Sequence, residues 1–468
     1  MSSPGARRRL RPLVVAALCL AVAVPALGPA SPAAARVERG DGDSGGGDSL
    51  FPQAGNGGYK VRHYDLDLDY APSSGVLVGQ ATIAMRATQR LPSFTLDLHR
   101  LRVLDIEVAG ADATWSRNGD ELRVRPADAL APGESRRVVV DYRGNPDTIV
   151  DPDGSSEGWF DTDDGAVSVN EPVGAMTWFP VNNTLRDKAT YEVSITVPHG
   201  KTAVSNGNLV RHETGPGPTT WVWRSPDQLA SYLTTVAVGD FDFIRGQAAD
   251  GTPLLSFVDS GMNGDATSRL RPVMRFLGTQ FGPYPFTTSG LIIDNASIGY
   301  ALEVQNRPVF TSNPGDFLLV HEIAHQWYGN SVTPQDWSDI WLNEGFATYA
   351  EWLWEGRTDP GAPQENFDAL CTERPSSNLW NPPPADPGSA ANLFDRSVYD
   401  RGAMALQAMR QRIGGHDFFA VLRGWAEQVR QDNGNTGDLK ALAEDVSGRQ
   451  LDNLFRVWLR EPGKPAAC

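Results

Sequence analysis

The sequence predicts an α+β protein of more than one domain, with strands in its first half and helices in its second. Its 468 residues exceed the size of one typical domain, and 40% of them are hydrophobic, which is enough to form packed cores. Segments that alternate apolar and polar residues recur between residues 59 and 245, whereas apolar residues at helical spacing dominate from residue 316 onward. We therefore expect an all-β N-terminal domain over residues 59–245 and a second domain over residues 246–468.

Residues 1–35 have the pattern of a cleaved export signal. Arginines between positions 7 and 11 precede an apolar segment over residues 13–27, and three alanines at 33–35 offer a cleavage site. A single membrane anchor is the alternative, but a spanning helix needs about 20 apolar residues, and Pro25 interrupts this shorter segment. We expect a secreted protein without a stable membrane anchor after cleavage, exported by the Sec or the twin-arginine route.

Composition excludes several classes of function. Acidic residues number 57 and basic residues 41, for a net charge of −16, which excludes nucleic acid as a principal ligand because phosphate binding needs a basic surface. Three cysteines are too few for a disulfide scaffold or a cysteine-rich zinc module. Cleavage removes Cys19 and leaves Cys371 and Cys468, a pair that an oxidising compartment favours as a disulfide. The alternatives are two free thiols or an intermolecular bond through Cys468.

The N-terminal domain is predicted to follow a linker. Residues 36–58 are rich in glycine and aspartate and cannot bury apolar surface, so we expect order to begin near Tyr59. Acidic residues at 151–154 and 161–164 predict solvated loops, since neither segment matches a calcium-binding hand. Turn-forming residues separate the strand-like segments, which predicts antiparallel sheets. The predicted strands are residues 64–70, 81–85, 94–98, 137–142, 191–197 and 221–223.

The second domain is predicted to begin with a small mixed sheet and to continue as a helical lobe. Residues 268–278 have helical periodicity, residues 290–294 are predicted as a buried strand and residues 302–310 as another strand. Proline-rich residues 381–388 predict a loop within the helical lobe. The predicted helices of that lobe are residues 316–328, 340–354, 399–413, 416–431 and 436–447.

Residues 321–325, His-Glu-Ile-Ala-His, have the spacing of a zinc site on a predicted helix. Because one helical turn is about 3.6 residues, His321 and His325 project from the same face. Glu322 lies beside them, where it can reach a water held by the metal. Alternatively, the motif is a chance match on a solvated helix. Zinc hydrolases use three protein ligands, and Glu344, in an apolar second helix, is the candidate for the third.

The surroundings of Glu344 favour the metal-ligand interpretation. A lone glutamate on a helix is usually a solvated charge, but this one lies in an apolar run. The next residue, Gly345, removes a side chain where two helices must approach closely. We therefore expect one Zn²⁺ per chain, held by His321, His325 and Glu344.

Two segments together resemble a known family. Residues 321–330, His-Glu-Ile-Ala-His-Gln-Trp-Tyr-Gly-Asn, and residues 341–347, Trp-Leu-Asn-Glu-Gly-Phe-Ala, are similar to the zinc aminopeptidases of the aminopeptidase N type, relatives of leukotriene-A hydrolase. Residues 178–180, 187–191 and 203–207 resemble the family's saddle-shaped N-terminal β domain. The resemblance implies a thermolysin-like catalytic domain, a Zn²⁺ cofactor and removal of N-terminal residues from peptides.

The resemblance also implies where the substrate's amino terminus binds. Residues 300–304, Tyr-Ala-Leu-Glu-Val, stand where the family has Gly-Ala-Met-Glu-Asn, which implies that Ala301 and Glu303 contact substrate and that Glu303 binds the α-ammonium group. The alternative is an ion pair between Glu303 and Arg307. Glu171 resembles a second acidic anchor in a family Gln-x-Glu-Pro segment; alternatively it is a loop carboxylate at a turn.

The remaining implied residues carry out the chemistry. Glu322 would act as general base. Residues 399–402, Tyr-Asp-Arg-Gly, resemble the family's Tyr-x-Lys-Gly segment, which implies that Tyr399 donates a hydrogen bond to the oxyanion; otherwise it only packs at a helix start. Two other classes of function remain. A secreted zinc endopeptidase would share the metal site without needing Glu303, and a non-catalytic peptide-binding scaffold would usually have lost the metal residues.

Overall fold

The computed structural model describes residues 45–213 and 215–468. The expected signal peptide and the first part of the expected linker lie outside the described residues. Strands fill the first half of the described chain and helices dominate the second, which confirms the α+β class. Within these two ranges, none of the helices is long and apolar enough to span a bilayer.

The N-terminal half is built from strands β1 to β16. Their apolar residues alternate with polar ones, as in β1, where Tyr64, Leu66 and Leu68 are buried between exposed aspartates. In chain order the strands are β1 (Tyr59–Ala71), β2 (Val76–Ala87), β3 (Phe94–Asp97), β4 (Arg102–Val108), β5 (Ala111–Asp112), β6 (Thr114–Asn118), β7 (Glu121–Arg125), β8 (Ser135–Gly144), β9 (Thr148–Val150), β10 (Ser156–Asp161), β11 (Ala166–Val169), β12 (Ala189–Val197), β13 (Thr202–Ser205), β14 (Asn208–Glu213), β15 (Thr219–Leu229) and β16 (Val236–Gly239).

These strands form three sheets. The largest has the order β14-β15-β12-β1-β2-β8-β4-β5, the second β13-β16-β11-β10-β9 and the third β3-β7-β6. The expectation of purely antiparallel sheets is wrong at one place, because β1 and β12 pair in parallel. Strands β2 to β11 lie between them in the chain, and that length allows the crossover that parallel pairing requires.

The second half begins with a mixed sheet of strands β17 (Phe241–Gln247), β18 (Pro253–Asp259), β19 (Ile292–Ile293) and β20 (Val309–Phe310). The strand predicted over residues 302–310 is shorter than expected. Leu302 pairs back onto Val309, and the chain turns between them through Asn306, which has a φ of 75°. A separate pair joins β21 (Val332–Pro334) to β22 (Asp432–Gly434) in parallel.

The helices of the second half pack on this sheet and on each other. The predicted helix over residues 316–328 ends at Ala324. The chain continues in turns, in which Gln326 and Trp327 donate to carbonyl oxygens three residues back, and Gly329 follows with a φ of 120°. Helix α4 was not predicted, since its residues carry no clear apolar face. The helices are α1 (Ala266–Phe281), α2 (Asp316–Ala324), α3 (Trp341–Glu355), α4 (Ala362–Cys371), α5 (Gly402–Ile413), α6 (Gly415–Gln428), α7 (Thr436–Ser447) and α8 (Asp452–Phe455).

The linker prediction differs from the structure from residue 45 onward. The carboxylate of Asp48 accepts hydrogen bonds from the backbone N–H groups of Leu50 and Phe51, at 2.9 Å each, and from that of Trp337 at 2.8 Å. Asn56 is buried and donates to Asp97 of the β domain at 3.1 Å. Polar side chains, rather than an apolar core, therefore fix this glycine-rich segment against both halves of the chain.

The C-terminal segment is fastened by the expected disulfide. Cys371, the last residue of α4, is bonded to Cys468. Lys464 adds to this attachment by donating hydrogen bonds to the carbonyl oxygens of Cys371 at 2.6 Å and Glu373 at 3.1 Å. The prediction of an intramolecular bond is confirmed.

Candidate active site

The two histidines of the zinc motif lie one turn apart on α2 and its end. His325 follows the last residue of α2 but keeps helical backbone angles, so both imidazoles face α3. Glu344 Oε2 on α3 lies 3.2 Å from His321 Nε2 and 3.5 Å from His325 Nε2. One ligand atom from each of the three buried residues lies within 4.8 Å of the others. The structure therefore brings the three predicted metal ligands together.

Two glycines allow the elements of the site to approach one another. A Cβ atom at Gly345 would lie 2.9 Å from the Cα of Gly402, closer than non-bonded carbons approach. Gly402 opens α5, directly after a π-helical turn over Ser397–Arg401 that carries Tyr399. The ring of Tyr399 lies nearly parallel to that of His321, with centroids 6.1 Å apart. The close approach predicted at Gly345 is confirmed, and it brings Tyr399 to the metal ligands.

The Nδ1 atoms of both imidazoles also have hydrogen-bond partners. His321 Nδ1 lies 2.7 Å from Glu351 Oε1, and His325 Nδ1 lies 3.2 Å from the carbonyl oxygen of Tyr328. These partners orient the rings so that both Nε2 atoms face Glu344. Glu351 was missed in the sequence analysis. Its position seven residues after Glu344, two turns along the same face of α3, is the signal that identifies it.

Glu322 has a different environment from Glu344, although both are buried. Its Oε2 has no hydrogen-bond partner among the described residues. Burial raises the pKa of Glu322 to about 8, against the opposing effect of the two imidazoles. Burial also acts on Glu344, but there the closer imidazoles prevail and lower its pKa to about 2. Glu344 is thus a charged ligand, whereas the raised pKa makes the carboxylate of Glu322 the stronger base of the two.

Glu303 is fixed by residues that continue the zinc motif. Its carbonyl oxygen accepts hydrogen bonds from Gln326 Nε2 at 3.2 Å and from Asn330 Nδ2 at 2.6 Å. Arg307 instead donates to carbonyl oxygens, including that of Leu255 at 3.0 Å, so the alternative ion pair between Glu303 and Arg307 is not present. The position of Glu303 is therefore set by the same segment that supplies the two histidines.

Glu171 lies in the turn that follows β11 and enters the site from the β domain. Carboxylate oxygens of Glu171, Glu303 and Glu344 lie within 4.8 Å of one another. Burial, and then the charge of Glu303, raise the pKa of Glu171 well above its usual value. The Oε1 atoms of Glu171 and Glu303 are buried and accept no hydrogen bond within the described ranges. Such a cluster of carboxylates is stabilised when a cation binds between them.

The side chains of the candidate site line one cavity of about 590 Å³. Its lining includes every residue that the sequence analysis placed in the site, namely Glu171, Ala301, Glu303, His321, Glu322, His325, Glu344 and Tyr399. It also includes residues that the sequence analysis missed, namely Asp153, Ser155, Leu318, Glu351 and Phe394.

The donor set fits zinc. Two imidazole nitrogens and one carboxylate oxygen form a three-ligand set typical of catalytic zinc, which leaves a further position open. The partners of the His321 and His325 Nδ1 atoms are an acidic side chain and a backbone carbonyl, as is usual for zinc-bound imidazoles. The buried unpaired oxygen of Glu322 lies beside this set. The residues present therefore fit the metal that the motif predicts.

Comparison with known proteins places both halves of the chain in one family. Residues 60–233 match the Peptidase M1 N-terminal domain, and residues 316–458 match the Peptidase family M1 domain. Aminopeptidase M1-D of Oryza sativa subsp. japonica is 27% identical over 337 residues, covering 65% of this chain and 38% of that protein. Leucyl aminopeptidase of Saccharolobus solfataricus is 23% identical, covering 87% of this chain and 54% of that protein. The chain thus spans about half, or less, of the length of these relatives.

Solved structures match this chain over a larger share of their own length. The M1 zinc metallopeptidase of Deinococcus radiodurans is 29% identical with a TM-score of 0.82, covering 90% of this chain and 98% of that one. A mutant of that peptidase, solved with a Tyr-Ser-Ala substrate, is similar at the same TM-score of 0.82 and 28% identity. Because the two family domains match in order along the chain and a two-domain member superposes on nearly all of it, this chain belongs to peptidase family M1.

Proposed function

We propose that the chain is a zinc-dependent aminopeptidase that removes residues from the free amino terminus of peptides. The observation that carries this proposal is the cluster of Glu171, Glu303 and Glu344 carboxylates beside the two histidines. A peptide's α-ammonium group supplies the cation that Glu171 and Glu303 lack. An endopeptidase would bind an internal segment there and leave both carboxylates unpaired, which is unfavourable in a buried site.

The metal would be held by His321, His325 and Glu344. When bound there, Zn²⁺ supplies Lewis-acid chemistry, which polarises a carbonyl group and lowers the pKa of water. The convergence of all three ligands, with Glu322 and Tyr399 beside them, also disfavours a non-catalytic scaffold.

The side chains around the metal ligands bind the substrate and transfer the proton. Glu303 and Glu171 bind the α-ammonium group, and Ala301 lines the wall beside them, so the first peptide bond is directed toward the metal ligands. Glu322 accepts a proton from the attacking water and returns it to the leaving amine. The phenol of Tyr399 stays protonated because burial raises its pKa well above the usual value, and it donates a hydrogen bond to the oxyanion.

Relatives support this reaction class. Curated proteins similar to this chain are named as aminopeptidases. The neighbouring two-domain M1 zinc metallopeptidase has been solved with L-arginine and with a Tyr-Ser-Ala substrate, both of which carry a free α-amino group.

The test is a time course of peptide cleavage followed by mass spectrometry. A six-residue peptide with a free amino terminus should lose residues one at a time from that end, and its N-acetylated form should be cleaved at a far lower rate. A chelator should stop cleavage and added Zn²⁺ should restore it. Internal cleavage of both peptides at equal rates would identify an endopeptidase, and cleavage of neither would reject the proposal.

We also propose that the protein is exported and acts outside the cytoplasm. The pattern of residues 1–35 supports this, and so does the Cys371–Cys468 disulfide, since such bonds persist in oxidising compartments. Expression of the full chain in a bacterial host, followed by N-terminal sequencing of the exported protein, tests the proposal. A mature protein beginning near residue 36 is expected, and retention of an uncleaved chain inside the cell would contradict it.

A further inference from the structure

Behind the Glu171 turn lies a second pair of carboxyl groups that the proposed reaction does not use. Glu157, in β10, is fully buried, and Asp151 is 8% exposed. In the part of the chain that the structure describes, neither carboxyl group forms an ion pair with lysine or arginine. Burying a carboxyl group without a basic partner costs free energy of folding, so these two groups need other interactions that hold them.

Glu157 holds the turn that carries Glu171. Its carboxylate accepts hydrogen bonds from the backbone N–H groups of Val173 at 3.0 Å and Gly174 at 2.7 Å. The opposite side of the turn is held by Asn183, whose side chain donates to the carbonyl oxygen of Val173 at 2.6 Å. The backbone at Val173 and Gly174 is thus held from two sides, by Glu157 on one and by Asn183 on the other.

The contact between Glu157 and this turn is tight. A Cβ atom added at Gly174 would lie 2.9 Å from Glu157 Oε2 and 2.7 Å from the backbone nitrogen of Gly158. Glycine at position 174 therefore allows the turn to approach the carboxylate closely enough for two backbone hydrogen bonds.

Asp151 is a second buried carboxyl group near Glu157, and its charge acts on that of Glu157. Burial raises the pKa of Asp151 to about 7 and that of Glu157 well above its usual value. The prediction of a solvated loop is therefore wrong for Asp151. Its turn also carries Asp153 and Ser155, which line the active-site cavity.

The start of β10 is also linked to the Glu303 segment. Tyr300 donates a hydrogen bond from its hydroxyl group to the carbonyl oxygen of Ser156, at 2.7 Å. Ser156 is the residue before Glu157, and Tyr300 lies three residues before Glu303. The segments that carry Glu171 and Glu303 are therefore both hydrogen-bonded to the first two residues of β10, Ser156 and Glu157.

We propose that Glu157 is a positioning residue for substrate binding: by holding the N–H groups of Val173 and Gly174, it fixes Glu171 at the separation from Glu303 that binds the α-ammonium group. This inference rests on the proposed aminopeptidase function. It assigns a role to a side chain that touches neither the metal ligands nor the substrate.

The test compares kcat and KM of single and double variants on a peptide with a free amino terminus. Glu157→Ala should raise KM about 10-fold while kcat changes little, because a misplaced binding group weakens ground-state binding. Glu157→Gln keeps an oxygen for the two N–H groups, so its KM should stay close to the wild-type value. The double variant Glu157→Ala/Glu171→Ala should have the KM of Glu171→Ala alone.

The control is Glu121→Ala, which removes another partly buried carboxylate of the β domain, outside the active-site cavity, and should leave KM unchanged. A lowered Tm with wild-type KM in Glu157→Ala would mean that Glu157 contributes only to stability and would overturn the proposal. A KM of the double variant above that of Glu171→Ala would also overturn it, because Glu157 would then act on substrate binding other than through Glu171.

If Glu157→Ala does not fold, Glu157→Asp, which withdraws the carboxylate by one methylene, should raise KM several-fold, and an unchanged KM would overturn the proposal. Absence of cleavage by the wild-type protein would reject the proposed function itself.

Discussion

At the scale of single residues, the site depends on buried carboxylates whose neighbours give them different tasks. Glu344 lies against two imidazole nitrogens, which keep it ionised, whereas Glu322 has a free buried oxygen and a raised pKa. Carboxylate oxygens of Glu303 and Glu171 lie within 4.8 Å of each other, and within the described ranges neither group pairs with a lysine or arginine. We propose that these glutamates serve as ligand, base and ammonium-binding groups; burial and contact with the imidazoles separate Glu344 from Glu322.

Glu322→Gln should abolish turnover while the protein still binds one Zn²⁺. The amide is nearly the same size as the carboxylate but cannot accept the proton, and residue 322 is not one of the three ligands. Activity assays and metal analysis of the purified variant test this. Loss of zinc from a folded Glu322→Gln protein would show that Glu322 contributes to metal binding.

Tyr399→Phe should lower kcat by about 10²- to 10³-fold with little change in KM. The lost hydrogen bond is strongest to the oxyanion, so the effect falls on the transition state. Steady-state kinetics with chemistry as the slow step provide the measurement. A wild-type kcat under those conditions would remove Tyr399 from the mechanism and leave it a packing role.

The residues of the site differ in how far the sequence alone predicted them. Spacing identified His321 and His325, because side chains one helical turn apart must share a face. Glu171 required the family resemblance, since it reaches the site only through the contact of two halves of the chain. The burial of Asp151 and Glu157 was not predicted, because the sequence does not reveal that β10 packs against the distant turn at Val173.

At the scale of elements, the site exists because α3 packs against both α2 and the start of α5. Gly345 and Gly402 permit the second contact, and the π-helical turn before α5 directs Tyr399 toward His321. Apolar residues at helical spacing predicted the bounds of α3 and α7 to within one residue. The strand prediction failed for residues 302–310, where a turn at Asn306 brings Leu302 back beside Val309.

Gly345→Ala should destabilise the protein by about 1–3 kcal/mol and reduce activity, because the added methyl group would force α3 and α5 apart. The matched control is Gly278→Ala in α1, where an added Cβ meets nothing within 4 Å. That change should stabilise the helix by about 0.5–1 kcal/mol. Thermal unfolding and peptide cleavage of both variants test the comparison, and equal behaviour of the two variants would contradict it.

At the scale of the whole molecule, the β domain supplies part of the active site as well as a support for it. Glu171 enters the cavity from one half, and the metal ligands come from the other. Residues 45–58 and Lys188 also join the halves, the lysine by donating to the carbonyl oxygens of Asn330 and Ser331. Composition alone indicated a flexible linker here, since it does not reveal which polar side chains will find backbone partners.

Replacing the cysteines tests how the C-terminal segment contributes to stability. Cys371 and Cys468 are 97 residues apart, and loop closure of that length corresponds to about 4 kcal/mol as an upper value. The double variant Cys371→Ser/Cys468→Ser should therefore unfold at a lower temperature than the wild type. Thiol titration of the unreduced, denatured wild-type protein should find no free thiol in the mature chain, and two free thiols would contradict the bond.

We propose that Glu303 and Glu171 select a free α-ammonium group beside the zinc ligands. The most direct test of this claim is the ratio of kcat/KM for a peptide with a free amino terminus to that for its N-acetylated form, measured for wild type and Glu303→Ala. Removing one partner of a buried charge pair costs about 2–5 kcal/mol, so the ratio should fall by at least about 30-fold in the variant. An equal loss on both peptides, with the ratio unchanged, would contradict the claim.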